Sequence, residues 1–476
     1  RTSCHPMQGI HAWRKAADAA SSSASHMAPA VAGEGVAARA DAITQAFHRQ
    51  LYLSPGERLE DGFLDLGGGC DPFLQQENRT GDAILLVDRR LDHRLGSMLE
   101  NASRQLCKCT DPVTKMMAAA LLVSEVLGRS GSDVRAIEER CKDLTLERMD
   151  GSSGVIQLGA LLAEKPGAHD GGRRQLGAGG AKHRSVLLKA LADWLELAPC
   201  ALRRSAECGA TWNVVTLSGG SYLVDVLFDP GAMYEEGSAR AAAYLARLQP
   251  EGGSSGAAAP SAQEDAASRM VRPPWHAEPW EVEFSRRDRA GRGGFGEVFR
   301  GTWAGQPVAV KEVKDASPTD MEVCQFILEI SLLSGLSHPN IVRFWRGCVD
   351  LRGGGRTLLL VTEWMDRSVL SELLHEAQDQ ALSVGQCLVL ALAIARGVAY
   401  LHEVGVLHLD LKSPNVLLNS AFQAKLCDFG LAKVREKVGA HTTLRGVSPV
   451  WAPPEMFDES VGGITEKADV YSFGIV

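Results

Sequence analysis

Residues 408–430 read HLDLKSPNVLLNSAFQAKLCDFG. The apolar run Val416-Leu417-Leu418 lies between two acidic centres. Asp410 precedes it, followed by Lys412 and Asn415; Asp428 comes after it, followed by Phe429 and Gly430. Each piece alone is a weak signal, since an Asp before a Lys is ordinarily a solvated loop and Asp-Phe-Gly is short. The order and the separation together are specific. They supply a carboxylate to take a hydroxyl proton, a cation near a moving phosphoryl group and oxygen ligands for Mg²⁺, the parts that phosphoryl transfer needs in close array.

Upstream pieces support the same chemistry. Gly291-Arg292-Gly293-Gly294-Phe295-Gly296-Glu297-Val298 has the form GxGxxGxV. A lone GxGxxG could open a dinucleotide-binding helix, but the residues that follow do not read as one. Val298 and the run 307–310 flank Gly305, which predicts a hairpin whose glycines let backbone N–H groups approach phosphates. Val308-Ala309-Val310-Lys311 follows. Glu329 falls in FILEISLLSGL, where Phe326, Ile327, Ile330, Leu332 and Leu333 recur at helical spacing. A helical Glu is exposed by default; this one is placed to reach inward and hold Lys311.

From residue 280 to 476 the chain resembles protein kinases, and in detail the plant Raf-like MAP kinase kinase kinases. His338-Pro339-Asn340-Ile341-Val342, Leu360-Val361-Thr362-Glu363-Trp364-Met365 and Asp469-Val470-Tyr471-Ser472-Phe473-Gly474 extend the match. The resemblance implies a bilobal α+β kinase fold, truncated after the start of its sixth major helix, that uses ATP and Mg²⁺. It implies that Gly291, Gly293, Gly294, Phe295 and Gly296 cover the phosphates and that Val298 and Ala309 sandwich the adenine. Thr362 is the implied gatekeeper, with Glu363 and Met365 at the hinge. Lys311, held by Glu329, aligns the phosphates. Asp410 accepts the substrate proton, Lys412 neutralises the transferring group, and Asn415 and Asp428 hold Mg²⁺. Lys412 two residues after Asp410 favours Ser/Thr substrates. Leu409 stands where most kinases carry Arg, Val447 replaces a usual Gly, Ser448 a usual Thr, and Pro453-Pro454-Glu455 replaces Ala-Pro-Glu. None of these departures removes a catalytic group. Leu409 cannot hold a phosphorylated loop as an Arg does, so phosphorylation at Thr442 or Thr443 is expected to matter less here. Cys427 brings a thiol beside the metal site or serves as a small inert hydrophobe.

The whole chain has 476 residues, 45% hydrophobic and 23% charged, with net charge -8. That length suggests two or three domains, and the acidic balance argues against a nucleic-acid partner. Eleven scattered cysteines, among them Cys107 and Cys109 with no second pair nearby, complete no zinc site and fit a reduced cytosol. No run of about 18 apolar residues and no secretory signal is apparent, so no membrane span is expected. The first residue is Arg and the last Val476, ends expected of a fragment.

Residues 1–33 read as disordered, 34–236 as a folded regulatory domain, 237–279 as a flexible linker rich in Gly, Ser, Ala and Pro, and 280–476 as the kinase. In the front domain, helices are predicted over 116–127, 135–146 and, amphipathic, 183–197. Strands are predicted over 212–215 and 221–228 around Ser218-Gly219-Gly220. DGFLDLGGGCDPF (61–73), KHRSVLLKALADWL (182–195) and SYLVDVLFDPG (221–231) resemble the regulatory domain of plant kinases of the constitutive-triple-response and enhanced-disease-resistance type, itself related to papain- and transglutaminase-like peptidases. A papain-type site needs a Cys at the helix start, a His on the next strand and an orienting Asp or Asn. By that resemblance the positions are Ala181, Ala210 and Asp225, so nucleophile and base are missing. Cys200 and Cys208, both after the helix, read as buried or loop thiols.

The expectation is therefore a cytoplasmic Ser/Thr kinase whose substrate is a protein, a downstream kinase being one candidate. Its catalytically dead front domain takes an upstream receptor or regulator. The alternative is a pseudokinase scaffold, which Lys311, Glu329, Asp410, Asn415 and Asp428 disfavour.

Overall fold

The computed structural model describes residues 31–65, 84–107, 109, 111–128, 139, 141, 143, 155–163, 179–249, 270–293, 296–313, 318–350, 357–367, 369–376, 382–428, 433–434, 448–457 and 464–476. The chain forms two compact units. One comprises Arg1–Leu106, Pro112–Arg272 and Thr319–Cys324; the other comprises Cys107–Asp111, Pro273–Pro318 and Gln325–Val476.

The first unit runs α1 (Val31–Gln50), β1 (Tyr52–Leu53), β2 (Phe63–Asp65), β3 (Ile84–Val87), α2 (His93–Leu106), α3 (Pro112–Val126), β4 (Val155–Gln157), α4 (Ala181–Trp194), β5 (Cys200–Arg204), β6 (Thr211–Leu217), β7 (Gly220–Val224), β8 (Met233–Glu235) and α5 (Ala239–Arg247). Its main sheet is antiparallel in the order β1-β5-β6-β7-β8, and β2-β3-β4 form a second sheet. The two predicted strands are β6 and the first part of what was read as 221–228. β7 stops at Val224 because the next carboxylate, Asp225, accepts the N–H groups of Leu227 and Phe228 at 2.8 Å each and turns the chain. α1 starts at Val31, inside the segment read as disordered. α5 lies inside the stretch read as linker. The helix predicted over 135–146 falls mostly outside the described residues.

α4 differs from its predicted amphipathic form: it is buried nearly all round, Arg184 and Lys189 included. Buried cations are tolerable when their donors are satisfied. The Arg184 guanidinium donates to the carbonyls of Gly179 (2.7 Å), Val226 and Leu127 (3.2 Å each) and to Ser124 Oγ (3.2 Å). Lys189 Nζ donates to the Glu57 carbonyl at 2.7 Å and to Asp193 at 2.9 Å. The charges on α4 thus pin loops to the core.

The second unit begins with a sheet in the order β12-β13-β11-β10-β9, made of β9 (Val282–Gly293), β10 (Gly296–Trp303), β11 (Gln306–Glu312), β12 (Phe344–Asp350) and β13 (Thr357–Glu363). The predicted hairpin is β10–β11. Ala304 (φ 49°) and Gly305 (φ 75°) both take the left-handed conformation that a two-residue hairpin turn of the right twist requires. α6 (Asp320–Ser334) follows β11 in the chain; the later elements are α7 (Leu370–Glu376), α8 (Val384–Glu403), the pairs β14 (Val406–Leu407) with β17 (Lys433–Val434) and β15 (Val416–Leu418) with β16 (Ala424–Leu426), and α9 (Lys467–Ile475). Trp275 packs into this unit, its carbonyl accepting from Gly347 N at 2.9 Å, whereas Trp280 is 69% exposed.

α8 corrects the expectation that no segment could span a membrane. By length and composition alone it is long and apolar enough to cross one. In the fold, Leu390, Ile394, Gly397, Val398 and Leu401 turn one face inward. Ser383 caps its start, accepting from Gln386 N, while the Gln386 side chain accepts from Ser383 N, a reciprocal capping box.

Candidate active site

The antiparallel pair β15–β16, with Val416 opposite Leu426, sets the loop before β15 beside the residues after β16. Asn415 O accepts from Cys427 N at 3.0 Å, and the Cys427 carbonyl accepts from His408 Nε2 at 3.2 Å. The apolar run of the opening stretch is therefore the strand that brings Asp410 and Asp428 into one site.

Asp410 is the hub. Its Oδ2 accepts from Lys412 Nζ (2.7 Å) and Asn415 Nδ2 (3.0 Å), and its Oδ1 accepts from Ser448 Oγ (3.0 Å). Ser448 Oγ in turn accepts from Lys412 Nζ at 2.9 Å. Asn415 Nδ2 also donates to the Asp410 carbonyl at 2.8 Å. Because the amide nitrogen is the donor in both bonds, its oxygen end is the one suited to a cation.

Asp428 has φ 60°, a left-handed backbone that a non-glycine residue holds only where its surroundings enforce it. Its Oδ1 accepts from Lys311 Nζ at 2.9 Å. Burial works against the Lys311 charge, but the Asp428 and Glu329 carboxylates outweigh it and hold the ammonium above the ordinary lysine value. The reading paired Lys311 with Glu329. The structure adds Asp428 as a hydrogen-bonded partner, and the Glu329 carboxylate also favours the Lys311 charge. Burial pushes the Cys427 thiol up to about 12, so it is an inert neighbour of the site.

Opposite, β11 pairs with β13 so that Ala309 faces Thr362 and Val308 faces Glu363. Glu363 accepts from Lys425 Nζ at 2.7 and 2.8 Å and from Arg343 N at 2.7 Å, and Met365 is buried just beyond. Val298 pairs with Gly291 and Lys311 on its two sides, and Gly293 pairs with Gly296. Gly296 has φ 153°, and a Cβ there would run into the Glu312 carbonyl oxygen. Gly294, Phe295, Phe429, Gly430, Thr442, Thr443 and Val447 lie outside the described residues.

One positioning group escaped the sequence reading. Asp469, on α9, accepts from His408 N (2.9 Å), Leu409 N (2.8 Å) and His402 Nε2 (2.9 Å). Burial alone would push its carboxyl up; the hydrogen bond from His402, the charge of His408 and the two N–H bonds hold it below the usual range. Leu409, with φ 63°, buries its side chain among Leu407, Ile464 and Ala468, with Met456 packed alongside. An apolar contact thus stands where most kinases place a guanidinium.

In the first unit Ala181 and Ala210 pack in one apolar cluster with Leu223 and Leu227, and Asp225 follows β7. Cys200 lies on β5, fully buried, its thiol pushed up to about 12 by burial. Cys208 is half-buried. A pair the reading missed is Cys141, whose Sγ lies 3.4 Å from His183 Nδ1. Burial, aided by Lys182, lowers His183 to about 3, so the imidazole is neutral.

Residues 284–476 match the family described as protein tyrosine and serine/threonine kinase. Residues 40–234 match the peptidase-like family of EDR1, CTR1 and ARMC3. A probable serine/threonine-protein kinase drkA of Dictyostelium discoideum is 40% identical over 192 residues, 40% of this chain and 28% of that protein. The serine/threonine-protein kinase CTR1 of Arabidopsis thaliana is 34% identical over 202 residues, 42% of this chain and 24% of that protein. Another probable serine/threonine-protein kinase of Dictyostelium discoideum is 36% identical over 215 residues, 44% of this chain and 23% of that protein. The chain spans about a quarter of the length of these curated relatives. The peptidase-like match thus precedes the protein kinase match in one chain.

Proposed function

We propose that the protein is an ATP- and Mg²⁺-dependent serine/threonine kinase of the MAP kinase kinase kinase type, acting in the cytoplasm on a protein substrate. The observation that carries this reading is the closed network of Asp410, Lys412, Asn415 and Ser448, set by β15–β16 beside the Lys311–Asp428 ion pair. The residues fit the nucleotide. Gly296 keeps the start of β10 free of a side chain, Lys311 is held charged, and the oxygens of Asn415 and Asp428 suit a hard cation. Mg-ATP, when bound, supplies the phosphoryl group and neutralises its charge.

The chain's own residues do the rest. Ala309, Val298 and the hinge at Glu363 and Met365 fit an adenine ring, and Lys311 draws phosphate oxygens toward Asp428. Asp410 Oδ1 is the base for the acceptor hydroxyl, with Ser448 and Lys412 fixing its angle. Lys412 Nζ, 2.7 Å from Asp410, offsets negative charge as it moves toward the acceptor. The test is phosphotransfer from Mg-ATP by the full-length protein, abolished by Asp410→Asn. Unchanged turnover in that variant would favour the scaffold reading.

The front domain, in this proposal, binds an upstream regulator and cleaves nothing. What supports it is Ala at positions 181 and 210 and thiols that burial keeps protonated at Cys200. A thiol-directed peptidase probe should leave the full-length protein unlabelled at Cys200 and Cys208; hydrolysis lost on Cys208→Ser would refute it.

A further inference from the structure

In a papain-like domain the substrate lies across the helix start, the base-bearing strand and the orienting carboxylate. Here Ala181 at the start of α4 and Ala210 just before β6 are the two emptied positions. Both pack in the same cluster as Ala241, Tyr244, Leu245 and Leu248, all from α5 and the residue after it. α5 begins at Ala239, beyond residue 234, where the peptidase-like match ends. A helix outside the matched domain therefore covers the place where the chemistry would be.

The contacts show a fitted occupant. Ala241, Tyr244 and Leu248, at helical spacing, are 3%, 3% and 8% exposed. The Tyr244 ring meets Phe228 edge-on at 5.5 Å, and the Arg247 guanidinium lies 3.6 Å over the same Phe228 ring. Ser238 Oγ caps the helix start, accepting from Ala241 N at 3.2 Å. The fit is incomplete on one side: a cavity of about 140 Å³ remains between Cys208, Ala210 and Trp212 on the sheet side and Leu245 and Leu248 on the helix side.

We propose that α5 is a built-in plug of the former substrate cleft, able to leave it without unfolding of the sheet. The nine residues of α5 are too few to hold a helix in water, where nucleation costs more than so short a ladder returns. Its order therefore comes from the docked face, and undocking and unwinding are one local event. The released cleft is apolar, with an aromatic-sized slot where Tyr244 sits, and suits a short amphipathic helix with an aromatic residue. α5 competes with any such ligand from within. This inference does not depend on kinase activity.

The test uses the full-length protein with Ala181→Cys, a small change that puts a thiol under the plug. Maleimide labelling is followed by peptide mapping, with the fully buried Cys200 on β5 reporting opening of the sheet. Adding Tyr244→Ala should speed labelling at position 181 at least tenfold while Cys200 stays unlabelled. Leu248→Ala, a milder change, should act in the same direction, and hydrogen exchange should show the α5 amides opening well before those of β6. The proposal is overturned if labelling at position 181 is unmoved by both substitutions. It is equally overturned if Cys200 and the β6 amides open in step with α5, which would make the helix an integral part of the core.

Discussion

Ser448 carries more of the site than its place in the sequence suggests. One hydroxyl bridges Asp410 Oδ1 and Lys412 Nζ, so it fixes the carboxylate and the cation against each other. Ser448→Ala should lower kcat roughly tenfold with KM for ATP little changed, the loss of one charge-assisted hydrogen bond being worth about that much. Ser448→Thr keeps the hydroxyl and should restore the rate; a Thr variant as slow as the Ala variant would show that the hydroxyl is not the active feature. The paired residues Asp410, Lys412, Asn415 and Asp428 were readable because two loops flank one short strand. Ser448 was noted only as a substitute for Thr. The hydrogen bonds that give it a role cross 38 residues of chain and leave no local pattern.

Helix α9 holds the loop at His408 and Leu409 through a single carboxylate. Asp469 takes two backbone N–H groups and one imidazole, and its pKa is depressed. The stability it contributes is therefore present above the ordinary carboxylate range and lost as pH falls through its folded value. Asp469→Asn should turn an NH₂ toward donors it cannot satisfy, cost about 3 kcal/mol and lower kcat, as read by chemical denaturation and steady-state kinetics. Unchanged stability would mean that the loop has another anchor. The helix itself was legible from DVYSFG, but the target of its Asp, some 60 residues upstream, was not. α5 shows the opposite failure. Its Ala241-Tyr244-Leu248 spacing was in plain view, but the surrounding Gly, Ser and Ala made the stretch read as linker. α4 reads as amphipathic in the sequence, but Arg184 and Lys189 are buried. Carbonyls of distant loops, with Ser124 and Asp193, make those charges buriable.

The two units answer to pH through different groups, and in the first of them Asp225 and His183 oppose each other. Burial and Asp229 raise the Asp225 carboxyl to about 7, so the stability that goes with its protonated form is complete below the usual carboxylate range and lost as pH rises through 7. Burial lowers His183 to about 3, so its contribution is complete above 6.5 and lost as pH falls through 3. Between about pH 4 and 6.5 the two slopes cancel, each near 1.4 kcal/mol per pH unit. His48, lowered, and Asp88 and Asp193, raised, add slopes of their own in the same unit, so calorimetry of the full-length protein is read as a difference from the wild type. Asp225→Asn keeps the acceptor oxygen for Leu227 N and Phe228 N but removes one falling slope, so its stability relative to the wild type should climb with pH through the window. A variant whose pH dependence matches that of the wild type would show that Asp225 titrates normally.

The central claim is that the β15–β16 site performs phosphoryl transfer. Its most direct test is single-turnover phosphotransfer from Mg-ATP by the full-length protein, compared with Asp410→Asn and Lys311→Met. The account predicts incorporation into Ser or Thr, loss in Asp410→Asn, and a fall of ~100-fold or more in Lys311→Met, about 2.7 kcal/mol of transition-state stabilisation. Equal incorporation by all three proteins, or none by the wild type while it binds Mg-ATP, would contradict it.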